Sequence, residues 1–188
     1  KTTTMTEQNL SFGQRIDTES GLVECWFTWG ALDWIKEQDW SDKVVWMFGA
    51  GLGDVFLAKR CKELHVVERD WTWINKCHEQ KNINDVHNLT YHHRPCNDCS
   101  GMDKEYCEIS IDVDVVINDD AYRFEVIEKA LTLPRPLILV TDNWMQDYVF
   151  LCPKGEELLK DFEHNIYPCT THTDHSGNCW KTAIHFIK

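Results

Sequence analysis

Basic residues are scarce in this chain of 188 residues: 19 Lys and Arg stand against 31 Asp and Glu, for a formal net charge of -12. Proteins that hold a phosphate backbone do so by neutralising it with Lys and Arg, so the deficit argues against DNA or RNA as a partner. A small or uncharged polar ligand is the better expectation. Long apolar runs are missing as well. No stretch approaches the roughly 18–20 residues that cross a bilayer, and KTTTMTEQNLSF at the N-terminus carries no apolar signal-peptide core. No membrane partner is expected, and the expected location is cytoplasmic. Linker tracts of Pro, Gly and Ser, low-complexity segments and internal repeats are absent too, which excludes a modular array and leaves a single domain over 1–188.

Core material and cysteine are abundant. Apolar residues make up 43% of the chain and include nine Trp, enough for one packed core and too many for a disordered segment. The nine Cys are an odd, scattered set. Several fall inside regular strand or helix patterns, where a free thiol behaves as a small apolar side chain, so no disulfide scaffold is expected. From Lys43 onward, short β-type runs alternate with helical patterns. Strands are read at 44–48, 64–67 ending on Glu68, 89–93, 113–117 and 137–140, with helices at 54–60, 71–80, 124–131 and 155–162. Two further strands, 165–170 and 180–187, follow without an intervening helix and imply an antiparallel hairpin at one edge. The pattern is α/β: a Rossmann-like, mostly parallel sheet with helices on both faces.

The most informative segment runs Val44-Val45-Trp46-Met47-Phe48-Gly49-Ala50-Gly51-Leu52-Gly53-Asp54. A glycine loop after a buried strand lets a ligand approach the backbone, and the following helix offers free N–H groups. Dinucleotide sites place their glycines as G-x-G-x-x-G. Here the third glycine comes one residue early, a spacing associated with S-adenosylmethionine (SAM). Glu68, closing the second strand, stands where an acid accepts hydrogen bonds from the ribose hydroxyls of an adenosine ligand.

With these residues the chain resembles the class I SAM-dependent methyltransferases, and within them a group of small bacterial enzymes. The resemblance is carried by Trp26-Phe27-Thr28-Trp29-Gly30-Ala31-Leu32-Asp33-Trp34-Ile35, by the glycine loop, by Val66 to Asp70 with Trp73, by Asp142-Asn143-Trp144, and by Trp180 to Ile184. It implies a seven-stranded sheet of order 3-2-1-4-5-7-6 with strand 7 antiparallel, a cover segment and helix over 1–40, and a core over 43–188. It implies SAM as cofactor and S-adenosylhomocysteine (SAH) as product. The cofactor contacts it implies are Trp26, Thr28, Gly49, Ala50, Gly51, Gly53, Glu68, Arg69, Asn97, Asp98, Asn118 and Asp119. The family usually carries an acid two positions before the first loop glycine; here that position is Met47. The amino group of SAM then needs another acceptor, such as a loop carbonyl or Asp119.

Methyl transfer from a sulfonium is an in-line displacement, so the protein mainly aligns and desolvates the nucleophile, adding a base where the nucleophile arrives protonated. Asn118-Asp119-Asp120-Ala121-Tyr122 leaves the fourth strand at the edge where α/β sheets bind ligands, making Asp119, Asp120 and Tyr122 the catalytic candidates. It is not the Asn-Pro-Pro-aromatic block of nucleic-acid amino methyltransferases. Asp142, Asn143, His172 and His175 are the candidate acceptor contacts. Cys96-x-x-Cys99 with His92, His93 and Cys107, and Cys169-x-x-His172-x-x-His175-x-x-x-Cys179, hold zinc-type residues at no established zinc spacing, and no metal is expected. The function expected is O-methylation of a small-molecule or sugar-like acceptor. The alternatives are a non-catalytic SAM- or nucleotide-binding module and, disfavoured by the glycine spacing, an NAD-dependent oxidoreductase.

Overall fold

The computed structural model describes residues 14–96, 105–144, 153–169 and 180–188. Its elements run α1 (Trp29–Glu37), β1 (Val44–Phe48), α2 (Asp54–Ala58), β2 (Glu63–Glu68), α3 (Trp71–Ile83), β3 (Leu89–His93), β4 (Val115–Asn118), α4 (Arg123–Ala130), β5 (Leu137–Trp144), α5 (Pro153–Leu159), β6 (Glu163–Pro168) and β7 (Lys181–Ile187). The strands form one sheet in the order β3-β2-β1-β4-β5-β7-β6. Strands β1 to β5 pair in parallel, and β7 lies antiparallel between β5 and β6. The sheet order, the antiparallel strand 7 and the helices around the sheet agree with the expectation.

Alternation along each strand divides the core in two. Val45, Met47, Leu64, Val66, Val115, Ile117, Val140 and Ile184 meet α1 and α2 on one face. Trp46, Phe48, Val67, Val116, Leu139 and Ala183 meet α4, α5 and the segment around Tyr106 on the other. Each large apolar side chain buried this way contributes about 1.5–3 kcal/mol.

Boundaries differ from the sequence reading where side chains intervene. Asp114 accepts the Val44 N–H on its carboxylate at 2.8 Å, and β4 begins after it instead of at Val113. β5 continues past Val140 to Trp144, through a register shift between Thr141 and Trp144 that centres on Asn143, whose φ is 53°. Such a bulge re-aims the side chains beside it. The last helix ends at Leu159, and β6 starts at Glu163. Cys25, Cys61, Cys77 and Cys96 are free thiols.

The N-terminal segment is tied down by charge. Buried Glu24 accepts Arg15 Nε at 2.7 Å and Lys36 Nζ at 2.8 Å, while buried Asp17 lies 3.6 Å from both Lys36 and Arg60. Ile16 and Val23 form an antiparallel bridge that brings Glu24 and Cys25 onto the glycine loop.

Candidate active site

The glycine loop sits at the C-terminal edge of β1, between β2 and β4. Its three glycines have three different reasons. Gly49 has φ 94°, and a Cβ there would stand 2.6 Å from the Asp119 carbonyl oxygen, so only glycine fits beside β4. Gly53 would drive a Cβ to 2.4 Å from the Cys25 nitrogen, so its bareness serves the packing of the N-terminal segment. Gly51 is different. A Cβ there meets nothing nearer than 3.9 Å, and no positive φ demands glycine. Among the described residues, no atoms occupy the room above Gly51.

The loop is held from below and behind. The Asp54 carboxylate accepts the Gly51 N–H at 3.0 and 3.1 Å. Trp73 donates its indole N–H to the Ala50 carbonyl at 2.6 Å. That carbonyl is thereby engaged. Glu68 is 6% exposed and accepts three backbone N–H groups: Ala50 at 3.0 Å on Oε2, and Arg69 and Asp70 at 2.8 Å on Oε1. It therefore welds the loop after β1 to the turn after β2. Trp71 is exposed, with its ring 5.3 Å from His93.

The neighbouring carboxylates come from the ends of β4 and β5. The Asp119 N–H donates to the Phe48 carbonyl at 3.1 Å, which fixes it next to β1. Its side chain is 23% exposed and lies 3.1 Å from Arg123 Nη2. Asp142 is buried, hydrogen-bonded to Asp119, and accepts the Thr182 hydroxyl at 2.6 Å. Burial and the like charge of Asp142 hold the Asp119 carboxyl well above the ordinary carboxylate range, against the pull of Arg123. Burial pushes Asp142 up to about 6, opposed by Thr182 and Arg123. Both carboxyls therefore keep a proton to higher pH than an exposed Asp.

Asp120 is engaged differently. It accepts the hydroxyl of buried Tyr106 in a short hydrogen bond and lies 3.7 Å from Arg69 Nη2. Tyr122 is buried, with its ring 5.3 Å from that of Tyr106, and it adopts the left-handed conformation at φ 59°. For a bulky residue that conformation costs about 1–2 kcal/mol. Asn118 is fully buried and donates to the Arg123 carbonyl at 2.8 Å; it shapes the turn from inside the core.

The residues expected to cover the site are part of its scaffold. Thr28 caps α1 without a side-chain bond to the helix; its hydroxyl donates to the Tyr167 carbonyl at 3.1 Å, and its N–H donates to Thr182 Oγ1 at 3.0 Å. A chain from Thr28 through Thr182 to Asp142 thus links the cover segment to the carboxyl pair. Trp26 stands edge-on to Trp180 at 6.5 Å. Asn97, Asp98, His172 and His175 lie outside the described residues, as do Cys99 and Cys179. His92 stacks on Trp46 and sits 3.1 Å from His65, and no cluster of three metal-ligating residues occurs among the described residues.

No protein-family model and no curated protein sequence matches the chain. Solved structures do. A precorrin-6y C5,15-methyltransferase from Geobacter metallireducens superposes with a TM-score of 0.63 at 14% identity, over 98% of this chain and 97% of that one. The fold is that of the class I SAM-dependent methyltransferases. An O-methyltransferase from Bacillus cereus in complex with SAH has a TM-score of 0.57 at 14% identity, over 78% and 74% of the two chains. An rRNA methylase from Streptococcus thermophilus has 0.56 at 13%, over 80% and 90%. This methyltransferase fold thus serves very different acceptors, and the acceptor must be argued from the site itself.

Proposed function

We propose that the protein is a SAM-dependent methyltransferase acting on a small-molecule or sugar-like acceptor at oxygen, with SAH as product. The observation that carries the reading is Gly51: the described residues give no packing or backbone reason for glycine there, whereas a ligand lying against the loop backbone does. Bound SAM would supply a methyl group already activated by its sulfonium. Glu68 Oε2 accepts one N–H and keeps a lone pair for a ribose hydroxyl, and Arg69 lies beside it.

The methionine end needs an acid that position 47 does not give, since Met47 is buried in the core against α1 and α2. Asp119 supports that role, being the more exposed member of the carboxyl pair and next to Gly49. Asp120 is the candidate base for an acceptor hydroxyl, steadied by Tyr106 and Arg69, and Tyr122 acts as a positioning residue through its packing on Tyr106. Asp142 and Asn143, beside the register shift in β5, are the proposed acceptor contacts, and His172 and His175 are proposed with them on their sequence positions alone. The surplus of acids favours a small acceptor over a phosphate backbone.

Calorimetric titration with SAM and SAH tests the reading. Saturable binding is expected, weakened at least about tenfold in Glu68→Ala, since a charge-assisted hydrogen bond and the shape of two loops are lost together. No binding, or a Glu68→Ala variant that binds like wild type, would refute it. Met47 favours a second reading, a cofactor-binding module without catalysis, which binding without turnover across hydroxylated acceptors would support.

A further inference from the structure

Behind the glycine loop lies a carboxylate that neither the cofactor contacts nor the acceptor chemistry above employs. Asp54 opens α2 and is only 1% exposed. Its two oxygens accept the Gly51 N–H at 3.0 and 3.1 Å, and Oδ2 also accepts the Tyr91 hydroxyl from β3 at 3.0 Å. The other titratable groups facing it are Cys77 from α3, Glu68 at the end of β2 and Cys25 from the N-terminal segment; His78 of α3 lies against the Tyr91 ring at 4.8 Å. No Lys or Arg among the described residues pairs with it. Burial, with a smaller contribution from the negative charge of Glu68, pushes its carboxyl up to about 7.

Asp54 therefore grips the one loop residue above which the fold leaves open room. Hydrogen bonds to an ionised carboxylate are roughly twice as strong as those to a neutral acid. A proton on Asp54 weakens the hold on Gly51 and forces the Tyr91 hydroxyl to share its partner. We propose that Asp54 is a positioning residue of the glycine loop, holding Gly51 in the cofactor-receiving conformation while ionised, so that cofactor binding weakens as Asp54 takes up a proton. The inference rests on the reading of the loop as a SAM site.

The test is SAH titration at pH 6 and pH 8 on the full chain, in wild type, Asp54→Asn and Tyr91→Phe. The ratio of the dissociation constant at pH 6 to that at pH 8 should be about five to ten times larger in wild type than in Asp54→Asn, the span of a single proton linked to binding. Titration of SAH itself and of Asp142 is common to both proteins and cancels from the comparison. Tyr91→Phe removes a donor to the ionised form, so it should move the acid limb of the binding profile to higher pH. Equal ratios in wild type and Asp54→Asn, or an unmoved limb in Tyr91→Phe, would overturn the proposal. Should Asp54→Asn fail to fold, the Tyr91→Phe arm decides. Wild type that binds no SAH at either pH would instead remove the cofactor reading on which the proposal stands.

Discussion

Asp119 and Asp142 hold their protons to higher pH than ordinary carboxyls because of desolvation by burial, and the charge of Asp142 further opposes ionisation of Asp119. A cation arriving beside Asp119, as the methionine ammonium would, favours ionisation of the pair. SAM binding at pH 6 should therefore release up to about one proton, read from the dependence of calorimetric heat on buffer ionisation enthalpy. In an Asp54→Asn background, which removes the proton linked to that carboxyl, Asp142→Asn should abolish most of the remaining release, and unchanged release there would count against the placement of the ammonium. Some of these residues were legible in the sequence. Glu68 closes a recognisable strand, and Asp142-Asn143 stands in a recognisable block. The partners that set their chemistry were not, because Thr182 reaches Asp142 across 40 residues of chain and Tyr106 reaches Asp120 from an irregular segment. Thr182 had a signal, since it lies inside the terminal Trp180 to Ile184 block. Tyr106 had none.

At the scale of elements, the loop after β1 joins three neighbours: β4 at Gly49, the N-terminal segment at Gly53, and the open side at Gly51. The sequence grouped these glycines as one motif, and only packing separates their roles. Gly53→Ala must displace the backbone of Cys25 and should cost about 2 kcal/mol or more in a urea melt, as overpacking against backbone does. Gly51→Ala has the space it needs and should change stability by less than about 1 kcal/mol. The segment that meets Gly53 is anchored by Glu24. Replacing it with Ala leaves Arg15 and Lys36 without their buried acceptor and should cost about 2–3 kcal/mol, toward the low end for a buried pair because both cations reach solvent. An equal melting curve for Glu24→Ala would show that the segment is held by apolar contact alone.

For the molecule as a whole, buried acids pull stability down toward alkaline pH, while buried His185, pushed down to about 4, pulls it up over the acidic range. Asp54 and Asp142 have folded values of about 7 and about 6, above the roughly 3.9 of an unfolded Asp. An acid raised on folding binds its proton more tightly in the native state, so its contribution is fully present below about pH 4 and is lost as pH rises through the folded value. Between pH 5 and pH 8, Asp142→Asn should lose about 1.4 kcal/mol less stability than wild type in thermal melts, a difference from which buried His185, pushed down to about 4 and acting in the opposite sense, cancels. A pH dependence identical in wild type and Asp142→Asn would contradict the assignment of Asp142. Sheet order was legible through the resemblance, since alternating runs gave the strands while ordered blocks gave their arrangement. The bulge that carries β5 on to Trp144 was not, because Thr141 to Trp144 have no strand periodicity of their own and Trp144 pairs only with Lys181 of β7, beyond a register shift. The central claim is that room above Gly51 belongs to the cofactor, and SAH titration into wild type and Gly51→Ala tests it most directly. Saturable binding by wild type that weakens at least about tenfold in Gly51→Ala, at an unchanged melting temperature, is the predicted result, since the new methyl would occupy ligand space. Equal affinity in the two proteins, or no binding by wild type, would contradict it.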